Sequence, residues 1–193
     1  MRGFVFAGGL AFALIAAPAF AQVPGPSSTT QSGNWYVGGY DSGPVTIGAT
    51  PANASHSAGQ SVAGLFTLAL ARTNGGSGIL TSVGVKDTNN TPETYVLRIW
   101  SRNPTNTTCT DNSAFVSSAT DDQYLIVGTP VSITTAAPAT AVGDSNVYAA
   151  LTGLAWDYQT SGNQNIYACL ITVNTYTPGA TKPIYLTVAG PQN

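Results

Sequence analysis

Along most of the chain, from Asn34 onward, apolar and polar positions alternate with a period of two, the signature of half-buried β-strands. Thr94 to Ser101 (TYVLRIWS) places Tyr95, Leu97 and Ile99 on one face and Val96, Arg98 and Trp100 on the other. Ile166 to Thr175 sets Ile166, Ala168 and Leu170 against Tyr167, Cys169, Ile171 and Val173. Ile184, Leu186 and Val188 alternate with Tyr185 and Thr187, and Val83 and Val85 oppose Lys86 within Ile79 to Asp87. Tyr124 to Thr134 reads as a strand broken at Gly128 and Pro130, as a bulge, an edge or a corner between sheets requires. Ala63 to Ala71 and Val147 to Ala155 are apolar runs of strand length. The first has enough Ala and Leu for a helix, but its short length and flanking Gly favour a strand.

Turn residues separate these runs. Thr73 to Gly78 (TNGGSG) and Asp87 to Pro92 (DTNNTP) read as hairpin connections, and Ser161-Gly162-Asn163 and Pro178-Gly179 are further breakers. Short strands, polar turns and no helical period predict an all-β fold. The expected architecture is an antiparallel two-sheet sandwich of jelly-roll or Greek-key type, occupying residues 34–193 as a single domain. No repeat of fixed period interrupts it.

The N-terminus reads as targeting. Met1-Arg2 is a short positive start, Phe4 to Ala17 is apolar, and Ala19-Phe20-Ala21 is an A-x-A cleavage pattern. Residues 1–21 are therefore expected to be a secretory signal, cut before Gln22; a buried N-terminal helix is the alternative. Residues 22–33 (QVPGPSSTTQSG) read as a flexible arm or linker, either a loose new terminus or a tether to a neighbouring subunit.

Composition narrows the function classes. Of 193 residues only 7% are charged, against roughly 25% in an ordinary soluble domain. A net charge of −2 leaves no footprint for nucleic acid. No polybasic membrane patch is present, and no membrane span is expected after the signal. The two cysteines, Cys109 and Cys169, combined with export predict a disulfide between them; two buried thiols are the alternative.

Candidate chemistry is sparse. The sequence has one His and one Glu. His56 lies in a small-residue stretch that reads as an exposed loop, and no G-x-S-x-G elbow accompanies it, so no catalytic residue is assigned. Glu93 and the Asp residues Asp111, Asp121, Asp122, Asp144 and Asp157 stand mostly where turns favour Asp, which argues against a glycosidase pair. Asp111, Asp121 and Asp122 are weak calcium candidates without an EF-hand spacing, and no cofactor is expected. Gly75-Gly76-Ser77-Gly78 lacks the Lys-Ser/Thr ending of a phosphate loop. Trp35, Tyr36, Trp156 and Tyr158, flanked by polar or Gly residues, are the candidates for surface recognition of a glycan or a protein.

Several segments in order carry a resemblance: Gly64 to Leu68 (GLFTL), Ala71-Arg72-Thr73, Gly75 to Ser82 (GGSGILTS), Asn103-Pro104-Thr105, Thr107 to Phe115 (TTCTDNSAF), Asp121-Asp122 and Val147 to Leu151 (VYAAL). Over roughly residues 61–188 the chain resembles small β-sandwich structural proteins of tailed bacteriophage particles. The resemblance implies a sandwich that acts in assembly, with no catalytic residues to carry over. A secretory signal departs from that family's pattern, because phage particles assemble in the cytoplasm. The expected location is extracellular, cell-surface or periplasmic, or the virion if residues 1–21 are not a signal.

The sequence thus predicts a non-catalytic structural or assembly protein, with self-association or other structural proteins as partners. The alternative is a non-catalytic module that binds a glycan or a cell surface.

Overall fold

The computed structural model describes residues 40–41, 44–89, 91–136 and 146–192. The expected signal (1–21), the arm (22–33), Trp35 and Tyr36 lie outside the described residues. The strands are β1 (Tyr40–Asp41), β2 (Val45–Ala49), β3 (Ser61–Ala69), β4 (Ser77–Asp87), β5 (Thr94–Trp100), β6 (Val131–Thr134), β7 (Val147–Gln159), β8 (Asn165–Thr172), β9 (Ile184–Ala189) and β10 (Pro191–Gln192). A single helical turn, α1 (Ala119–Asp122), interrupts residues 101–130.

The strands form two antiparallel sheets packed face to face. In the six-stranded sheet β4 is central: β7 pairs along one side, and β9 and then β10 along the other, with β2 beyond β9 and β1 beyond β10. The four-stranded sheet runs β3-β8-β5-β6. The predicted two-sheet sandwich is what the chain forms.

The two connections read as hairpins are not hairpins. Residues 70–76 carry the chain from β3 in one sheet to β4 in the other, and residues 88–93 carry it from β4 across to β5. Alternation tells which side chains are buried. It does not tell which sheet a strand joins, and here pairing with distant strands prevails over pairing with sequence neighbours. Of the broken run Tyr124 to Thr134, only Val131–Thr134 is strand; Gly128 has φ of 103° and the Thr129–Pro130 peptide is cis.

The core lies between the sheets. Leu80, Val83 and Val85 of β4 and Ile184, Leu186 and Val188 of β9 meet Tyr95, Leu97 and Ile99 of β5 and Ile166, Ala168 and Leu170 of β8. Each such aliphatic side chain contributes roughly 1.5–3 kcal/mol by leaving water.

A second, smaller core covers the other face of the four-stranded sheet. Trp100, Cys169 and Ile171 point away from the main core and are buried beneath residues 101–130, against Cys109, Phe115, Tyr124 and Leu125. This explains why β8 is buried on both faces although its sequence alternates. The disulfide Cys109–Cys169 ties the covering segment to β8. Beside it, β3 bulges between Val62 and Leu65, where Ala63 and Gly64 have positive φ. Among the described residues no helix is long and apolar enough to cross a membrane.

Candidate interaction surface

Among the described residues the outer face of the six-stranded sheet is left uncovered, and register assigns its side chains. Residues directly opposite across an antiparallel ladder share a face. The first row is Gly48, Tyr185, Lys86 and Tyr148, read across β2, β9, β4 and β7. The second is Thr46, Thr187, Gly84 and Ala150, and the third holds Ala189, Ser82 and Thr152. Beyond a bulge between Leu80 and Ser82 comes a last pair, Ile79 and Asp157.

The first row forms a raised rim. Lys86 Nζ lies 5.6 Å from the ring centre of Tyr148 and 5.8 Å from that of Tyr185, in reach of cation–π attraction to both. Tyr185 leans over Gly48, where a Cβ would come within 2.6 Å of its ring, so glycine is required for that rotamer. Behind the rim the floor is short: Gly84, Ala150 and Thr187 line a hollow of about 420 Å³. Thr46 and Thr187 join hydroxyls at 2.8 Å and so satisfy each other. Tyr148 is 39% exposed and Ile79 38% exposed. Lys86 at one end and Asp157 at the other are charged strand residues of this face.

A separate cleft of about 440 Å³ lies where residues 124–127 approach residues 157–161. Tyr124 and Val127 wall one side, Asp157 and Gln159 the other. Arg102 donates to the Tyr124 hydroxyl at 2.8 Å and covers its ring.

The aromatic candidates read from the sequence are placed differently from expectation. Tyr158 is only 4% exposed and turned into the main core, so it is not a surface recognition residue. Trp156 shares that inward face; it is half-buried against the core and against Gly128. The β7 register is the cause: Trp156 lies opposite Leu80 and Tyr158 opposite Gly78, both inward positions. Among the described residues the exposed aromatic is Tyr148, on the opposite parity. Its signal was available in the alternation of β4 and β9, which turned Lys86 and Tyr185 outward.

His56 is not on an exposed loop. It is fully buried, with Nε2 2.9 Å from Asp111 Oδ1 and Nδ1 2.9 Å from the Ala54 carbonyl. Both ring nitrogens face acceptors, so neither is turned toward a nucleophile. Asp111 also accepts from the N–H groups of Ala52 and Ala63. Burial opposes its ionised form, but the bonds from His56, Ala52 and Ala63 outweigh that and hold its carboxyl below the usual range.

The weak calcium candidates do not converge, and each carboxylate is already engaged by the protein. Asp121 is buried, which raises its pKa, yet donors on Thr107 and Asn106 bring it below the ordinary value. Asp122 pairs with Arg98 at 3.2 Å and accepts from Ser117. Among the described residues no three His, Cys, Asp or Glu side chains are grouped to hold a metal ion.

Two buried acids that read as turn residues hold the far end of the sandwich together. Asp87 accepts from the hydroxyls of Tyr95 and Tyr176, each at 2.8 Å, and from the backbone and side chain of Asn89. Glu93 accepts from Thr172 and from the backbone and side chain of Asn174.

Compared with protein families, curated proteins and solved structures, the chain matches none.

Proposed function

We propose that the protein is an exported, non-catalytic structural component that works by self-association through the open face of its six-stranded sheet. The observation that carries this reading is the make-up of that face. Its central rows are Gly, Ala, Ser and Thr without a charge, rimmed by Tyr148 and Tyr185. An antiparallel sheet with one face on the core normally turns polar and charged side chains outward on the other. Short neutral side chains behind the tyrosine rim instead allow another surface to approach the backbone closely. The engagement of His56, Asp87, Glu93 and Asp111 in internal hydrogen bonds supports a structural role for the groups that chemistry would need. The resemblance to virion-associated sandwich proteins points the same way. Sedimentation velocity over a concentration series tests the reading: reversible association is expected, and a protein that stays monomeric at the highest concentration would defeat it.

A second reading, glycan recognition, has its own observation. The cleft between Tyr124 and Gln159 offers an aromatic ring, a carboxylate and an amide, the groups that hold a sugar. Binding to a polysaccharide that disappears with Tyr124→Ala would favour this reading over assembly.

A further inference from the structure

We propose that the open sheet face docks on the same face of a second copy of this chain, related by a two-fold axis that sets Lys86 of each copy against Asp157 of the other. This rests on the self-association reading and adds the partner and the register.

The argument starts from where the charges stand. Lys86 lies opposite Tyr148, and Asp157 lies opposite Ile79, seven positions earlier on β4. At about 3.3 Å per residue the two charges are roughly 20 Å apart along the strands, and they sit on neighbouring strands about 4.8 Å apart. Neither makes an ion pair within the chain among the described residues. Between them lie the short side chains of Gly84, Ala150 and Thr152.

Identical faces can meet about an axis lying in the interface in two simple ways. An axis along the strands stacks Lys86 on Lys86 and Asp157 on Asp157. An axis across the strands reverses one copy and brings Lys86 within about one strand spacing of Asp157 at both ends. The first arrangement repels at both ends and the second attracts at both. The second also brings exposed Ile79, beside Asp157, against the tyrosine rings that flank Lys86. Such an isologous contact closes at two copies, so it makes a discrete dimer as a unit for larger assembly.

Charge reversal tests this on the purified protein. Lys86→Glu alone, or Asp157→Lys alone, is expected to raise the dimer dissociation constant roughly tenfold or more, because both end pairs become repulsive. An equal mixture of the two single variants should recover association, since every pair in the mixed dimer is again opposite in sign. The double variant Lys86→Glu/Asp157→Lys should recover it too, which separates the charge effect from loss of fold, and circular dichroism verifies folding of each variant. Association that ignores both single variants, or single variants that are not rescued by mixing, would overturn this register while leaving self-association standing. A wild-type chain that stays monomeric would overturn both.

Discussion

His56 and Asp111 are joined at 2.9 Å, and that contact stands two residues beyond the cystine that fastens the same segment to β8. The carboxylate also accepts the N–H of Ala63, which the β3 bulge has removed from the ladder. One acid thus closes three loose ends: the loop around residues 52–56, the bulge, and the covering segment.

Asp111→Asn is expected to lower stability by about 2 kcal/mol at neutral pH. The folded carboxyl has a pKa below its unfolded value of about 3.9, so its contribution is complete above that pH. It fades as pH falls through the folded-state pKa. Thermal melts from neutral to acid pH should show the gap between wild type and variant closing in acid. A gap that stays constant would place the effect in packing instead of charge.

The Cys109–Cys169 bridge spans 60 residues of sequence, and by chain-entropy arguments a closed loop of this size is worth roughly 4 kcal/mol. Replacing both cysteines by serine should lower the denaturant midpoint accordingly. The covering segment should loosen first, so Trp100 fluorescence is expected to report solvent before circular dichroism reports loss of strand. Simultaneous loss of both signals would argue against a separately anchored second core.

Tyr158 carries a buried hydroxyl without a hydrogen-bond partner among the described residues. Tyr158→Phe is therefore expected to match or exceed wild-type stability by up to about 1 kcal/mol. Burial pushes the Tyr158 phenol up to about 12. Burial first, then the neighbouring Asp87, raises Tyr95 and Tyr176 as well. Raised phenols contribute stability fully below the unfolded value near 10, and that contribution is lost as pH climbs toward the folded values. Absorbance titration of the native protein should show these tyrosines ionising late, together with alkaline unfolding.

Asp87→Ala would remove the acceptor of the buried Tyr95 and Tyr176 hydroxyls and of half-buried Asn89, which keeps its bond to the Tyr176 hydroxyl. A loss of about 3 kcal/mol or more is expected, larger than for Asp87→Asn, which keeps an acceptor. Equal losses in the two variants, measured by denaturant melts, would show that the hydrogen bonds are not the cause.

Gly128 has a positive φ and lies under the indole of Trp156, where a Cβ would collide with the ring. Gly128→Ala is expected to cost more than about 2 kcal/mol through overpacking and backbone strain together. A melt unchanged by the substitution would mean that the loop around Gly128 moves aside freely.

The sequence alone determined the strand character and the inward faces. Tyr95, Leu97 and Ile99, and Ile184, Leu186 and Val188, are buried as their alternation required, because a pleated strand turns successive side chains to opposite sides. It also identified the two cysteines that pair. The tertiary structure decided which strands became neighbours, since β4 draws its partners from residues 147–159 and 184–192 and no local pattern encodes pairing at that distance. It decided that Trp156 and Tyr158 turn inward, because parity on β7 follows from its register with β4. It buried His56, Asp87 and Glu93 as well. Only folding brings Asp111, Tyr176 and Asn174 close enough to replace water around them.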